Sequence, residues 1–112
     1  MAWILQFRNI IIVSLFFVLT ISSQSWGDVV KQGMEIFNEK AGCGACHVLK
    51  HAGSQGNIGP NLDYSKDSQN VAYVKDMVTN GLGVMPAFGK DGILTPEEVD
   101  IVSKYVAKFS GK

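Results

Sequence analysis

Two thiols and an imidazole stand within five residues of one another, in Cys43-Gly44-Ala45-Cys46-His47. On one helical turn, side chains three and four residues apart share a face. Cys43 and Cys46 can therefore each bond a vinyl group of one porphyrin while His47 lies under its iron. Cys-x-x-Cys-His is the attachment pattern of c-type haem. It supplies two thioethers and one axial ligand, and the sixth iron ligand must come from elsewhere. That ligand largely decides between electron transfer and chemistry on small molecules.

Other chemistries compete for the same residues. A redox dithiol of the thioredoxin type requires a strand and helix alternation beside the Cys-x-x-Cys, and none flanks it here. A zinc ion could draw on Cys43, Cys46, His47 and His51. Those four lie within nine residues, without the spacer that separates ligand pairs in zinc fingers.

The elements that must position this motif begin after an apolar presequence. Residues 10–21 read IIIVSLFFVLTI, after the positive charge of Arg8 and before Ser25-Trp26-Gly27. Small residues at 25 and 27 suit the two positions that a signal peptidase reads. The sequence thus predicts a signal peptide over 1–27, cleaved before Asp28, and one domain over 28–112. The apolar run of about a dozen residues falls short of the roughly 20 that span a bilayer. A membrane tether is expected only if the presequence is retained.

Without residues 1–27, nine lysines face ten acidic residues. That balance excludes a nucleic-acid binder by charge. The 85 residues of 28–112 form a thin core, and domains of this size usually need an extra stabiliser. Covalent haem can fill that role. Because both cysteines are used by the haem, no structural disulfide is expected.

Val29 or Val30, Gly33, Ile36 and Phe37 recur at helical intervals, with Asp28 as a plausible cap. Gly33 costs helix stability relative to alanine, which a closely crossing second helix explains. Residues 48–70 are rich in glycine, serine and asparagine and read as a loop wrapped around something. Val71, Val74, Met77 and Val78 mark a middle helix that Gly81 stops. Residues 81–92, GLGVMPAFGKDG, form an irregular strap.

Thr95-Pro96-Glu97-Glu98 then opens the last helix with a cap, a proline at the first position and a glutamate three residues on. Val99, Val102, Tyr105, Val106 and Phe109 make its apolar stripe, with Gly33 and Phe37 as natural partners of Tyr105. No strand alternation of useful length is present. The expected fold is small and all-α.

Methionine at helical spacing is usually core filler, and Met77 fits that description. Met85 instead lies between Gly83 and Pro86, where a flexible approach and a fixed backbone angle can present a thioether to a cofactor. His51 follows His47 by four residues, on the same side of a porphyrin, and reads as a surface histidine.

The order of helix, CGACH, Gly59-Pro60-Asn61-Leu62, Gly81 to Met85-Pro86 and capped terminal helix resembles a class I monohaem cytochrome c over about 85 residues. The resemblance implies three to five helices wrapped around one covalent haem c, with first and last helices crossing. It makes His47 the proximal and Met85 the distal iron ligand. Pro60 is to back His47 with its carbonyl, Leu62 to pack on the haem, and Tyr64 to reach a haem propionate. In that family haem is attached outside the cytoplasmic membrane, which agrees with export to the periplasm.

Histidine and methionine together leave iron no open position, so the expected task is one-electron transfer rather than catalysis. Redox proteins are the expected partners of a monomer: a dehydrogenase, a membrane oxidoreductase or a terminal oxidase. MPAFG at 85–89 is similar to small carriers. GNIGPNL at 56–62 is also similar to cytochrome subunits of periplasmic dehydrogenases such as sulfite-oxidising complexes. A haem enzyme would need a distal acid and base, and no such pair is identifiable.

Overall fold

The computed structural model describes residues 23–112. Most of the expected signal peptide, residues 1–22, lies outside the described residues. Within them are three α-helices, α1 (Trp26–Glu35), α2 (Val71–Asn80) and α3 (Pro96–Phe109), and a two-stranded ribbon of β1 (Val48–Leu49) and β2 (Ser54–Gln55). None of these helices is long and apolar enough to cross a membrane.

Helix α1 starts earlier than its apolar spacing suggests. Its cap is Ser25, not Asp28. Asp28 sits in the first turn, where its N–H donates to Ser25 Oγ at 3.4 Å and its carboxylate accepts from the same hydroxyl at 3.1 Å. A serine oxygen serves the exposed amides, and an acidic group three residues on suits the positive end of the helix dipole. At its other end α1 widens into a π-helical turn, Ile36–Lys40, closed by the Ala41 N–H on the Ile36 carbonyl at 2.9 Å.

The core lies where α1 and α2 pack on α3. Phe37, Val102 and Tyr105 are fully buried at its centre, with Val74, Val78, Val99 and Val106 around them. Burying each such side chain contributes about 1.5–3 kcal/mol. Helices α1 and α3 meet backbone to ring: a Cβ on Gly33 would stand 2.3 Å from the Cβ of Tyr105. Any larger residue there forces the pair apart. The ring of Phe37 tilts against Tyr105 at 6.1 Å between centroids.

Helix α3 carries a full capping box. The Glu98 N–H donates to Thr95 Oγ1 at 3.2 Å, and the Thr95 N–H to Glu98 Oε2 at 2.9 Å. Glu98 also pairs with Lys40, which joins the start of α3 to the turn before the cysteine motif. Helix α2 is capped by Asn70, whose Oδ1 accepts from the Ala72 and Tyr73 N–H groups. The polar residues just before it form a separate 3-10 turn, Asp67–Gln69.

One short departure from an all-helical chain falls in the expected loop. Val48 pairs with Gln55 and Leu49 with Ser54 in an antiparallel register. Two-residue strands carry no readable alternation, because a period of two cannot repeat in them. The architecture is thus mostly helical with one small ribbon, and the ribbon follows the cysteine motif directly.

Candidate functional site

The motif is built as a tight turn. Cys43–Ala45 forms one 3-10 turn, with the Cys46 and His47 N–H groups both donating to the Cys43 carbonyl at 3.1 and 2.9 Å. Positions 43, 46 and 47 therefore fall on one face, as one helical turn dictates. Both cysteines are free thiols. Burial pushes the Cys43 thiol up to about 11, so it stays un-ionised.

The chain then turns back and covers this turn from outside. The Gly56 N–H donates to the Gly44 carbonyl at 3.2 Å, and the Gly59 N–H to the Cys46 carbonyl at 2.8 Å. A Cβ on Gly56 would stand 2.4 Å from the Ala45 carbonyl carbon, and one on Gly59 2.5 Å from His47 Cε1. Only glycine lets the return segment come so close to backbone and ring. Ser54 closes the ribbon: its hydroxyl donates to the His47 carbonyl at 2.8 Å and accepts from the Leu49 N–H at 2.9 Å.

The imidazole of His47 is held by one strong contact. Nδ1 lies 2.8 Å from the Pro60 carbonyl. A carbonyl can only accept, so Nδ1 carries a proton, and in the neutral ring the lone pair is on Nε2. The contact fixes the ring plane and raises the basicity of Nε2, which is the form of imidazole that binds a metal. Two residues on, Leu62 is buried in the core. Tyr64 is 80 % exposed, so its hydroxyl is presented outward rather than half-buried in the loop.

Met85 comes from a separate segment. Residues Leu82 and Met85 exchange two backbone hydrogen bonds, at 3.2 and 3.0 Å, around the two-residue turn Gly83-Val84. Gly81 precedes it with φ 68° and ψ 176°, a backbone region essentially reserved for glycine. A Cβ there would also meet the Met85 carbonyl oxygen at 2.4 Å. Met85 and Cys43 both pack against the single core cluster. Met77 is half-buried on α2.

His51 is exposed, yet it is not an idle surface group. Its Nδ1 lies 2.8 Å from the Tyr105 hydroxyl, and its ring stacks on Phe109 at 3.4 Å between centroids. It therefore belongs to α3 rather than to the iron side of His47. Burial pushes the Tyr105 phenol up to about 12, so the hydroxyl remains a donor. Among the described residues no three of His, Cys, Asp and Glu converge on one point, which removes the four-ligand zinc arrangement.

These groups fit a haem. An imidazole nitrogen and a thioether supply donors suited to iron, and two free thiols are present to bond the porphyrin. Ile58, Leu82 and Val84 lie on the segments that carry Gly59 and Met85. They are exposed at 68, 71 and 87 %, apolar side chains that a bound porphyrin could cover.

Sequence reasoning passed over Ser54 and Gly56. A signal was present in Gly56 and Gly59, both of which lie against the motif while Gly53 has open space. Glycine in an extended segment often marks close approach of another backbone.

Known proteins share this organisation. The family model described as cytochrome C oxidase, cbb3-type, subunit III matches residues 28–106. A cytochrome c6 of Gloeothece citriformis is 30% identical over 106 residues, which are 93% of either chain. The cbb3-type cytochrome c oxidase subunit CcoP of Azospirillum sp. is 36% identical over 98 residues. That match takes in 77% of this chain and 32% of the oxidase subunit, so the chain spans about a third of that relative. Among solved structures, the c-type cytochrome SorU from Sinorhizobium meliloti superposes with a TM-score of 0.67 at 41% identity. The superposition covers 77% of this chain and 95% of the other.

Proposed function

The chain belongs to the cytochrome c family, as a small monohaem class I member with covalently bound haem c, and we propose that it carries single electrons with His47 and Met85 as its axial ligands. The observation that supports this reading most is the 2.8 Å contact of His47 Nδ1 with the Pro60 carbonyl, which leaves Nε2 as a basic donor of fixed direction. The haem supplies one-electron cycling between ferric and ferrous iron.

Everything else falls to the chain. Cys43 and Cys46 anchor the porphyrin as thioethers. His47 and Met85 close both axial positions, which suits a carrier that changes little in geometry as it gains and loses an electron. Leu62 packs on the porphyrin from the core side, and Tyr64 offers its hydroxyl to a propionate. Residues 1–27 direct export and 28–112 form the domain of the exported protein, in which cleavage leaves α1 to start at Asp28 without its Ser25 cap, and the periplasm is where it works with redox proteins as a monomer.

Of four lysines that could guide an acidic partner, Lys50, Lys66, Lys75 and Lys90, two are already engaged within the chain. Lys66 donates to the Gly111 carbonyl at 3.0 Å, and Lys75 lies 3.5 Å from Asp100.

The resemblance of 56–62 to enzyme-bound cytochromes and the match to an oxidase subunit favour a second reading, a fixed cytochrome subunit of a periplasmic dehydrogenase such as a sulfite-oxidising complex. Purification from the periplasm at native level separates the two: a free carrier elutes alone, a subunit with its enzyme.

The ligand assignment has a direct test. Met85→Ala is expected to lower the reduction potential and abolish the sulfur-to-ferric-iron charge-transfer band, while Met77→Ala retains both. Loss of the band in the Met77 variant alone would overturn the assignment.

A further inference from the structure

We infer that the residues following α3, above all Gly111, act as a clamp that positions the loop orienting His47. This inference rests on the reading of His47 as an iron ligand. The loop from Pro60 to Asp63 buries Leu62 in the core and is hydrogen-bonded to the rest of the molecule at three places. Pro60 accepts from His47 Nδ1, Asp63 Oδ1 accepts from the Lys50 N–H at 2.9 Å, and the Leu62 carbonyl accepts from the Gly111 N–H at 2.9 Å.

The first two ties run to the motif and to the ribbon that follows it. They hold the loop and the imidazole to each other, while the Leu62 side chain reaches the core only through non-directional packing. The third tie is different in kind. It runs from the far end of α3, 49 residues away in sequence by the numbering, and references the Pro60 carbonyl to the helical core.

The clamp is reinforced from the neighbouring turn. Lys66 Nζ donates to the Gly111 carbonyl at 3.0 Å, and Gln69 Nε2 donates to the Ser110 and Gly111 carbonyls at 3.2 Å each. Gly111 is buried and is required as glycine twice over. Its φ is 67°, and a Cβ would come within 2.7 Å of Gln69 Nε2 and 3.0 Å of the Ser65 carbonyl. Such a position has no role in packing α3 on α1, because the helix has already ended at Phe109. Its contacts all go to the loop between Leu62 and Gln69.

A partner group that orients a metal-bound histidine typically alters metal affinity or activity by 10–100-fold when lost. A clamp one step further out works through the same hydrogen bond. The readout is the exchange of the His47 ring N–H with solvent, followed by NMR in the haem-loaded protein, together with the reduction potential. Gly111→Val and Lys66→Met are expected to speed that exchange, by about tenfold for Gly111→Val, and to shift the potential. Lys66→Arg, which keeps a donor, restores wild-type values.

If Gly111→Val fails to fold, Lys66→Met and Gln69→Ala carry the test, since both side chains are exposed. A lowered melting temperature with unchanged ring exchange and potential would show a merely structural tie and overturn the clamp. The ligand reading fails separately, if the charge-transfer band of the otherwise native chain survives Met85→Ala or if haem iron binds without His47.

Discussion

The two sides of the haem site are held very differently. On the His47 side the return segment is bonded to the motif at Gly44, Cys46, His47 and Leu49, and two glycines there lie against backbone and ring with no room for a Cβ. On the Met85 side a two-residue turn holds the residue by two backbone bonds to Leu82, and the strap is pinned beyond it by Gly89 and Lys90 donating to the Val78 and Thr79 carbonyls at 3.3 and 3.0 Å. The contrast teaches that one axial ligand is fixed by an interlocked backbone and the other by a short strap. Opening of the site should therefore begin at Met85, since weakly tied segments open at lower free energy than interlocked ones.

The largest effect expected from breaking this contrast comes from Gly56→Val. Its Cβ would meet main-chain atoms of Ala45 and Cys46 at 2.4 to 2.5 Å, and backbone cannot yield as a side chain can. Overpacking of this kind costs about 1–3 kcal/mol or more, here within the haem-bearing turn. The yield of haem-loaded protein is expected to collapse. Gly59→Val, whose Cβ meets the His47 ring, should be nearly as severe, and its haem-stained yield measures both.

Ser54→Ala comes next, because it leaves the His47 carbonyl and the Leu49 N–H without the hydroxyl they share. Losing partners for such groups costs about 1–3 kcal/mol. Chemical denaturation should register the loss, with the charge-transfer band intact until global unfolding. Gly81→Ala acts on the opposite side. A non-glycine residue in that conformation costs about 1–3 kcal/mol, and the expected signature is inverted: the band disappears on heating well below the loss of helical signal. Equal loss of both signals in the two variants would erase the distinction between the sides.

The smallest effect is on pH dependence. The Lys40 ammonium, then the Thr95 N–H, hold the Glu98 carboxyl below the usual carboxylate range, and Lys104, with Lys75 behind it, does the same for Asp100. Groups lowered in the folded state add stability that is complete above their ordinary pKa of about 4 and is lost as pH falls through the lowered values. Both sit at the surface, so the gain is small. Glu98→Gln should flatten the fall in melting temperature below about pH 5, and leave the potential at neutral pH unchanged.

Most of what could be read beforehand rested on strong local rules. Thr95-Pro96-Glu97-Glu98 announces its helix because cap, proline and glutamate act within one turn, and Gly33 opposite Tyr105 follows from a glycine that an isolated helix has no use for. The ribbon and the Ser54 and Gly56 contacts were not legible, because they depend on a segment folding back onto the motif, which no periodicity records. The start of α1 was misplaced because the apolar stripe begins at Val29, whereas the cap is chosen by the hydroxyl that reaches the free amides. His51 read as a surface group because its partners Tyr105 and Phe109 lie more than fifty residues on.

The π-helical turn at Ile36–Lys40 bears on how the motif is aimed. Each α-helical residue advances the chain by about 100°, and a turn closed five residues back absorbs one residue beyond that rhythm. It works as a phase correction between two fixed directions: the face of α1 that meets Tyr105 and the heading on which the chain leaves for Cys43. Deleting one residue between 38 and 40 would keep every ligand and every glycine, return the turn to ordinary rhythm and leave the heading of the motif unchanged, whereas winding the full-length segment as plain α-helix would not. In that second case Cys43, Cys46 and His47 would be presented to the core about 100° out of phase.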